Sequence, residues 1–285
     1  SLNNIYILNR KILNKYHKNV YLNLYICVLL FFINFCLKED FMNLENYRLN
    51  TNNIHNNGGT LYRYKNVLYK LYDEFPYFIE EKERNIKLVK NLKLYHIPKI
   101  LKIIKKRKEF NGYVMEYISN SVTFRQAMSE KFPKGKKISA IKDVYITLKQ
   151  LHSFNICIGD IHMDNFLYVD GKGYTIDLDE IRLKGDEFKF RECYILKENK
   201  NSMISKKATP ITDNIKLAIV CLSFYYGVDL ETIAVNESLT EVKEKLKEFI
   251  SNPEELKKIF RVLDMNNLNY LDDILFLEKE KVLKK

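Results

Sequence analysis

The stretch from Ile156 to Glu180, ICIGDIHMDNFLYVDGKGYTIDLDE, constrains the fold of this chain more than any other part of it. Two polar segments, 159–165 and 177–180, flank a run of apolar residues and glycines at 166–176. Apolar residues on both sides of a glycine-containing turn predict a β-hairpin. The polar segments are then either a turn with scattered acids or a site that holds metal and phosphate, since carboxylate and amide oxygens are ligands of hard cations.

Length and composition are those of a globular protein. The 285 residues suit one large domain or two small lobes, and 46% hydrophobic against 29% charged residues excludes a disordered composition. The formal net charge of +11 fits either an anionic partner or a lysine-rich solvated surface. The sequence carries no nucleic-acid-binding signature, so no nucleic-acid partner is predicted.

Cysteine usage favours a reducing compartment. The five cysteines are odd in number and include no C-x-x-C pair, so neither a disulfide framework nor a zinc site is predicted. We therefore expect a cytoplasmic protein.

The first 41 residues form a separate N-terminal hydrophobic extension. Residues 20–37, VYLNLYICVLLFFINFCL, are apolar apart from two asparagines and reach the lower length limit of a membrane span. Three interpretations stay open: a membrane segment, a helix packed on the domain, or leader-derived sequence with native translation starting at Met42. Membrane contact is predicted only through residues 20–37.

Hydrophobic periodicity divides the rest of the chain into a β-rich half, 42–118, and an α-rich half, 119–285. In the first half we expect strands at Thr60–Tyr64, Val67–Tyr72, Ile100–Ile104 and Tyr113–Ile118, the last two around Asn111–Gly112, and a helix at Phe78–Leu94. In the second half we expect helices at Thr123–Lys131, Ile138–Phe154, Asp213–Tyr226 and in three segments from Leu230 to Leu283. The sequence thus predicts an α+β protein of two lobes with a cleft between them.

Phosphoryl transfer from ATP needs a bound triphosphate, neutralised charge and an acceptor hydroxyl aligned beside a base. The residues suited to this chemistry are a strand lysine, a carboxylate base and two oxygen ligands for Mg²⁺. The chain offers them in this order: Lys70 at the end of VLYK, Asp160 and Asn165 in GDIHMDN, and Asp177 twelve residues beyond Asn165.

These motifs resemble those of the protein-kinase-like superfamily, in particular its eukaryotic-like bacterial kinases and aminoglycoside-phosphotransferase relatives. Segment Gly159–Asn165 matches the phosphotransferase form of the catalytic loop, G-D-x-H-x-x-N. The resemblance covers about residues 44–228. It implies a small antiparallel-sheet N-lobe with one helix at 42–118 and a larger helical C-lobe at 119–285.

The resemblance also implies roles for individual residues. Asp160 would be the catalytic base, Asn165 and Asp177 would bind Mg²⁺, and His162 would position the loop between them. Lys70 would hold the α- and β-phosphates of ATP. Further nucleotide contacts would come from Gly58 and Gly59 over the phosphates, from the gatekeeper Met115, and from the hinge backbone around Glu116 and Ile118.

The lysine of this family usually pairs with a glutamate of the N-lobe helix. The candidates are Glu80, Glu81 and Glu83. Glu83 is chosen because it shares a helical face with Ile79 and Ile86.

Some positions depart from the family pattern. Ile158 and Gly159 stand where the family often has His and Arg, and Asp179 replaces the glycine that follows the metal-binding aspartate. Activation by a phosphorylated loop residue and a mobile flip of that segment are therefore less expected. No chemically required group is lost, so an active enzyme is favoured over a pseudokinase. Asp213 resembles the buried aspartate that braces the catalytic loop.

The acceptor is predicted less sharply than the reaction. The span from Asp177 to Asp213 is about as long as the activation segment of a protein kinase, which favours Ser/Thr of a protein as acceptor. The alternatives are a small-molecule hydroxyl (sugar, choline or aminoglycoside) and a nucleotide-binding pseudokinase scaffold. ATP and Mg²⁺ are the expected cofactors. An ATP-using domain belongs in the cytoplasm, whereas the lysines before residues 20–37 would export it, which weighs against the membrane segment.

Overall fold

A four-stranded antiparallel sheet forms the first part of the fold. The computed structural model describes residues 59–72, 78–183 and 208–264. Strands β1 (Gly59–Tyr64), β2 (Val67–Tyr72), β3 (Ile100–Lys106) and β4 (Glu109–Glu116) lie in the order β1-β2-β4-β3. Strand β2 is therefore interior, with Lys70 opposite Leu61 of β1 and Tyr113 of β4. The predicted strands are confirmed, and an interior strand gives the lysine a fixed position.

The turn between β3 and β4 lies in the basic run Lys105–Lys108, where the sequence predicts a hairpin tip, but β4 begins before Asn111–Gly112 rather than after it. It falls at Arg107 and Lys108, with φ of 51° and 75°, and Asn111–Gly112 lies inside β4. Two successive residues of positive φ are typical of the hairpin turn whose twist suits antiparallel strands. Gly112 serves another purpose, because a Cβ there would lie 2.1 Å from the carbonyl oxygen of Lys70.

One helix, α1 (Ile79–Asn91), packs on this sheet and confirms the predicted helix. Its buried residues are Lys82, Asn85, Ile86 and Val89, at the spacing of a single helical face. Ile86 joins an apolar cluster of the sheet, which also contains Tyr72, Phe110, Tyr113 and Met115. The two polar residues of this face, Lys82 and Asn85, need polar partners outside the apolar cluster, because burial of an unpaired polar group destabilises the fold.

The second part of the fold is mainly helical. It comprises α2 (Phe124–Met128), α3 (Lys134–Ser153), α4 (Pro210–Tyr226), α5 (Leu230–Asn236), α6 (Leu239–Phe249) and α7 (Pro253–Leu263). Helix α4 is almost entirely buried from Thr212 to Phe224. It starts at a Thr209 capping box followed by Pro210 and ends at Gly227, whose φ is 74°. The predicted helices are confirmed within the described residues.

The second part also contains two small antiparallel sheets. Strands β5 (Val122–Thr123), β7 (Phe166–Val169) and β8 (Lys172–Thr175) form one sheet, and β6 (Ile156–Cys157) pairs with β9 (Arg182–Leu183). The predicted hairpin is thus β7–β8, and it packs on α3 so closely that a Cβ on Gly173 would lie 2.1 Å from the Ala140 carbonyl oxygen. The short 3-10 turns Met163–Asn165 and Leu178–Glu180 lie before β7 and beyond β8, at the open end of this hairpin.

The architecture is a mixed α+β fold with small antiparallel sheets and several helices. Within the three described ranges, no helix is both long enough and apolar enough to cross a membrane. Residues 1–41, including the apolar segment 20–37, lie outside the described residues, as do Gly58 and the segment 184–207.

Candidate active site

Side chains from the first turns of helix α4 hold the loop 158–165 in place. The buried carboxylate of Asp213 accepts hydrogen bonds from the backbone amides of Ile158 at 2.8 Å and Gly159 at 3.0 Å. The Nε2 atom of His152 lies 3.0 Å from the same carboxylate. Lys216, one turn along α4, donates to the Gly159 carbonyl at 3.0 Å. Asp213 is therefore the buried brace that the sequence predicted.

His152, Cys157 and Asp213 also have potential metal-ligating atoms within 4.8 Å of one another. The Asp213 carboxylate is already occupied by two backbone amides and the imidazole, so this cluster serves to hold the loop.

The carboxylate of Asp160 lies just after this braced backbone and is only partly buried. The Nδ2 atom of Asn165 donates to the Asp160 carbonyl at 3.0 Å and lies 3.4 Å from its Oδ2 atom. The Nε2 atom of His162 is 3.5 Å from the same Oδ2. Burial opposes the negative charge, yet hydrogen bonding to His162 and the charge of Lys216 outweigh it and lower the pKa of Asp160. Asp160 is thus ionised at neutral pH, as a carboxylate base must be.

His162 is enclosed by acids on both sides. Its Nε2 atom faces Asp160, and its Nδ1 atom lies 3.8 Å from Asp164. Burial disfavours the imidazolium, but its attraction to Asp160 and Asp164 outweighs this effect and raises the pKa of His162 to about 10. Arg125 of α2 in turn holds Asp164 at 2.7 Å. His162 is therefore a fixed cation that orients the loop, which favours positioning over proton transfer.

Asn165 and Asp177 both lie at the open end of the β7–β8 hairpin. The Ile176 amide donates to the Asn165 carbonyl at 2.9 Å, which places Asp177 one residue beyond this bridge. The nitrogen of the Asn165 side chain donates to Asp160, and the amide oxygen is the atom of this side chain that can bind a metal ion. Asp177 has a φ of 62° and keeps 30% of its side chain exposed. An amide oxygen and a partly open carboxylate are hard donors that fit Mg²⁺.

Lys70 extends from the interior strand β2 toward Asp177. Its ammonium forms an ion pair with Asp177 and a second one with Asp179 at 2.9 Å. Burial opposes the charge, but these two carboxylates outweigh it and hold the pKa of Lys70 well above its usual value. Partial burial likewise raises the pKa of Asp177 to about 6, against the opposing pull of Lys70. A Cβ on Gly59 would lie 3.4 Å from Lys70 Cε, so this glycine allows close approach of β1 to the lysine.

The prediction that Lys70 pairs with Glu83 is wrong. Glu83 pairs instead with Lys87 at 2.8 Å and with Lys105 of β3 at 3.0 Å. The buried face of α1 passes through Lys82, and the next residue along a helix points about 100° away from it. Glu81, another candidate, pairs with Arg182 of β9 at 2.7 Å.

Two residues of the site were missed from the sequence, Asp179 as a partner of Lys70 and Lys82 as a partner of Asp179. Asp179 is fully buried, and its Oδ2 atom lies 3.1 Å from the Lys82 ammonium. Burial opposes the charge of Asp179, but Lys70 and Lys82 outweigh it and hold its pKa well below the usual value. A usable sequence signal existed: Lys82 shares the helical spacing of Ile79 and Ile86, so a lysine stood on the apolar face.

The predicted adenine-binding segment follows the end of β4. Met115 is buried in the apolar cluster of the sheet. The Glu116 amide donates to the Lys99 carbonyl at 3.0 Å, and the Ile118 carbonyl accepts from the Ser121 hydroxyl at 2.7 Å. These contacts fix the backbone of the segment. Adenine binding by Glu116 and Ile118 stays a prediction.

The arrangement joins a buried ammonium, an ionised carboxylate and two oxygen donors around one end of a hairpin. Such a set can hold a polyanion at Lys70, a divalent cation between Asn165 and Asp177, and a hydroxyl group at Asp160. In comparisons with known proteins, no protein-family model matches this chain and no curated protein sequence matches it.

Proposed function

We propose that this protein is an ATP- and Mg²⁺-dependent phosphotransferase with a two-lobed, protein-kinase-like fold, which moves the γ-phosphate to a hydroxyl acceptor. One observation carries the proposal: an unbroken series of contacts from Asp160 to Asn165, across the Asn165–Ile176 backbone bridge, and from Asp177 to Lys70. The series supports in-line transfer because it brings the proposed base, the two proposed metal donors and the proposed phosphate-binding cation into one connected site.

Each residue has a separate task. Lys70 carries a positive charge in a largely buried position, where its attraction for the α- and β-phosphates is weakly screened. Asn165 and Asp177 would hold Mg²⁺, which neutralises charge on the phosphates when it is bound. Asp160 orients the acceptor hydroxyl and takes its proton, and His162 keeps the carboxylate of Asp160 in place.

The favoured acceptor is a Ser or Thr hydroxyl of a protein, and the proposed place of action is the cytoplasm, where ATP is supplied. A small-molecule hydroxyl is the second candidate, because GDIHMDN has the form found in small-molecule phosphotransferases. A pseudokinase scaffold would bind nucleotide without transfer.

Incubation of the purified chain with γ-labelled ATP and a cell lysate tests the reaction and the acceptor together. We expect the label to appear in protein when Mg²⁺ is present. Excess EDTA, which removes Mg²⁺, should prevent the labelling. Label in small molecules alone would move the assignment to the second candidate. ATP binding without any transfer of label would contradict the enzyme and support the scaffold.

A further inference from the structure

Helix α1 presents a cation to the site where the superfamily resemblance implies an anion. The buried side chain of Lys82 reaches the segment after Asp177, where its ammonium lies 3.1 Å from Asp179 Oδ2 and 2.5 Å from Glu180 Oε1. The helix residue at this place is a lysine, and Glu81 and Glu83 of the same helix pair with other residues, so neither of them is the partner of Lys70. The carboxylate that pairs with Lys70 has to come from another element.

Asp179 supplies that carboxylate, and both of its oxygens accept hydrogen bonds within the protein. Its Oδ1 atom accepts from Lys70 at 2.9 Å, and its Oδ2 atom accepts from Lys82 and from the hydroxyl of Tyr72. The side chain is fully buried, whereas 30% of the Asp177 side chain is exposed. The acids of IDLDE therefore have different tasks: Asp177 is open to ligands, and Asp179 is bound within the protein.

Lys70 needs this second carboxylate for an electrostatic reason. Asp177 is the proposed ligand of a divalent cation, and a cation on that carboxylate weakens its hold on the lysine. Asp179 contacts the same ammonium at 2.9 Å and, with its carboxylate buried, keeps this contact when a metal ion binds Asp177. The two buried lysines would also repel each other, and Asp179 lies between their ammonium groups.

We propose that Asp179 positions Lys70 for the phosphates of ATP and that Lys82 of helix α1 holds Asp179 in place. This charge-reversed arrangement rests on the proposed function. Two further side chains of the helix keep it together with the segment: Asn85 donates to the carbonyls of Asp179 and Ile181, and Glu81 pairs with Arg182. Helix α1 thus acts on Lys70 through Asp179.

The test compares Asp179→Asn, Lys82→Met and Lys82→Arg with Lys87→Met, the same substitution on an exposed position of the same helix. Initial rates of γ-phosphate transfer give KM for MgATP and kcat, and a non-hydrolysable ATP analogue gives Kd. We expect Asp179→Asn and Lys82→Met to raise KM and Kd about 10- to 100-fold, a typical effect of losing an orienting partner. Lys82→Arg should restore most of the affinity, because the charge is kept, and Lys87→Met should match the wild type.

The outcomes separate this inference from the proposed function. Wild-type kinetics in both Asp179→Asn and Lys82→Met, with an active wild type, would overturn the inference alone. If Asp179→Asn does not fold, the Lys82→Met and Lys82→Arg pair decides, and equal defects in the two would contradict a role for the charge. A wild-type chain that neither binds the analogue nor transfers phosphate would overturn the proposed function and this inference with it.

Discussion

Asn85 of helix α1 donates its side-chain amide to the backbone carbonyl of Asp179 at 2.9 Å. The same nitrogen lies 3.0 Å from the Ile181 carbonyl. One buried amide therefore ties the helix to the middle of the short turn Leu178–Glu180 and to the residue that follows it. This contact and the Lys82 ion pairs keep the helix and the segment after Asp177 in register.

Loss of this amide should destabilise the fold. In Asn85→Ala, two carbonyl oxygens lose a buried donor, so we expect the free energy of unfolding to fall by about 1–3 kcal/mol. Asn91→Ala, at the exposed end of the same helix, should change it by less than about 0.5 kcal/mol. Urea unfolding of the two variants measures the difference, and equal values would show that the Asn85 contact adds nothing.

Gly112 should tolerate no side chain. A Cβ at this position would lie 2.1 Å from the Lys70 carbonyl oxygen, at a φ of 152°. We expect Gly112→Ala to cost about 2–3 kcal/mol of unfolding free energy and to weaken nucleotide binding, because β2 has to move. In Gly135→Ala the new methyl group meets no atom within 4 Å, so the matched control should be neutral or stabilised. A stable Gly112→Ala with normal nucleotide affinity would contradict the close strand approach.

These contacts also show which features of the site could be predicted from the sequence and which could not. The hairpin 166–176 and the loop from Asp160 to Asn165 could be predicted, because turn residues and apolar alternation act over short distances along the chain. The pairing of Asp179 with Lys70 could not, because it joins residues 109 positions apart and depends on which face of α1 is buried. Glu83 was chosen from a plausible helical face, and the true face runs one residue earlier, through Lys82.

Asp213 should be essential to the loop. In Asp213→Asn, an amide replaces the carboxylate that accepts hydrogen bonds from Ile158 and Gly159. Because hydrogen bonds to charged groups are stronger than those to neutral ones, we expect the free energy of unfolding to fall by about 2–3 kcal/mol. Asp229→Asn is the control. It changes an N-cap of α5 to an equally good one and should cost less than about 1 kcal/mol. Thermal unfolding at equal concentration compares them, and a neutral Asp213→Asn would rule out the brace.

The ion pairs of His162 should make stability depend on pH in the alkaline range. Its pKa is raised from 6.5 to about 10 in the folded protein. Because the pKa is raised on folding, the contribution of protonated His162 to the free energy of unfolding is fully present below about pH 6.5 and is lost as the pH rises through 10. The unfolding free energy of the wild type minus that of His162→Gln should therefore shrink between pH 7 and pH 10. A difference that is constant over this window would contradict the charged state of His162.

The most direct test of the phosphotransferase assignment is the rate of γ-phosphate transfer by Asp160→Asn beside Asp170→Asn. Asp170 is an exposed aspartate that pairs with Lys136 at the turn of the same hairpin, so it is a matched control. We expect Asp160→Asn to lower kcat by about 10²–10⁴-fold, the usual contribution of a positioned base, while the Kd for ATP stays close to that of the wild type. Asp170→Asn should transfer phosphate at the wild-type rate. Full activity of Asp160→Asn would contradict the assignment of Asp160 as the catalytic base.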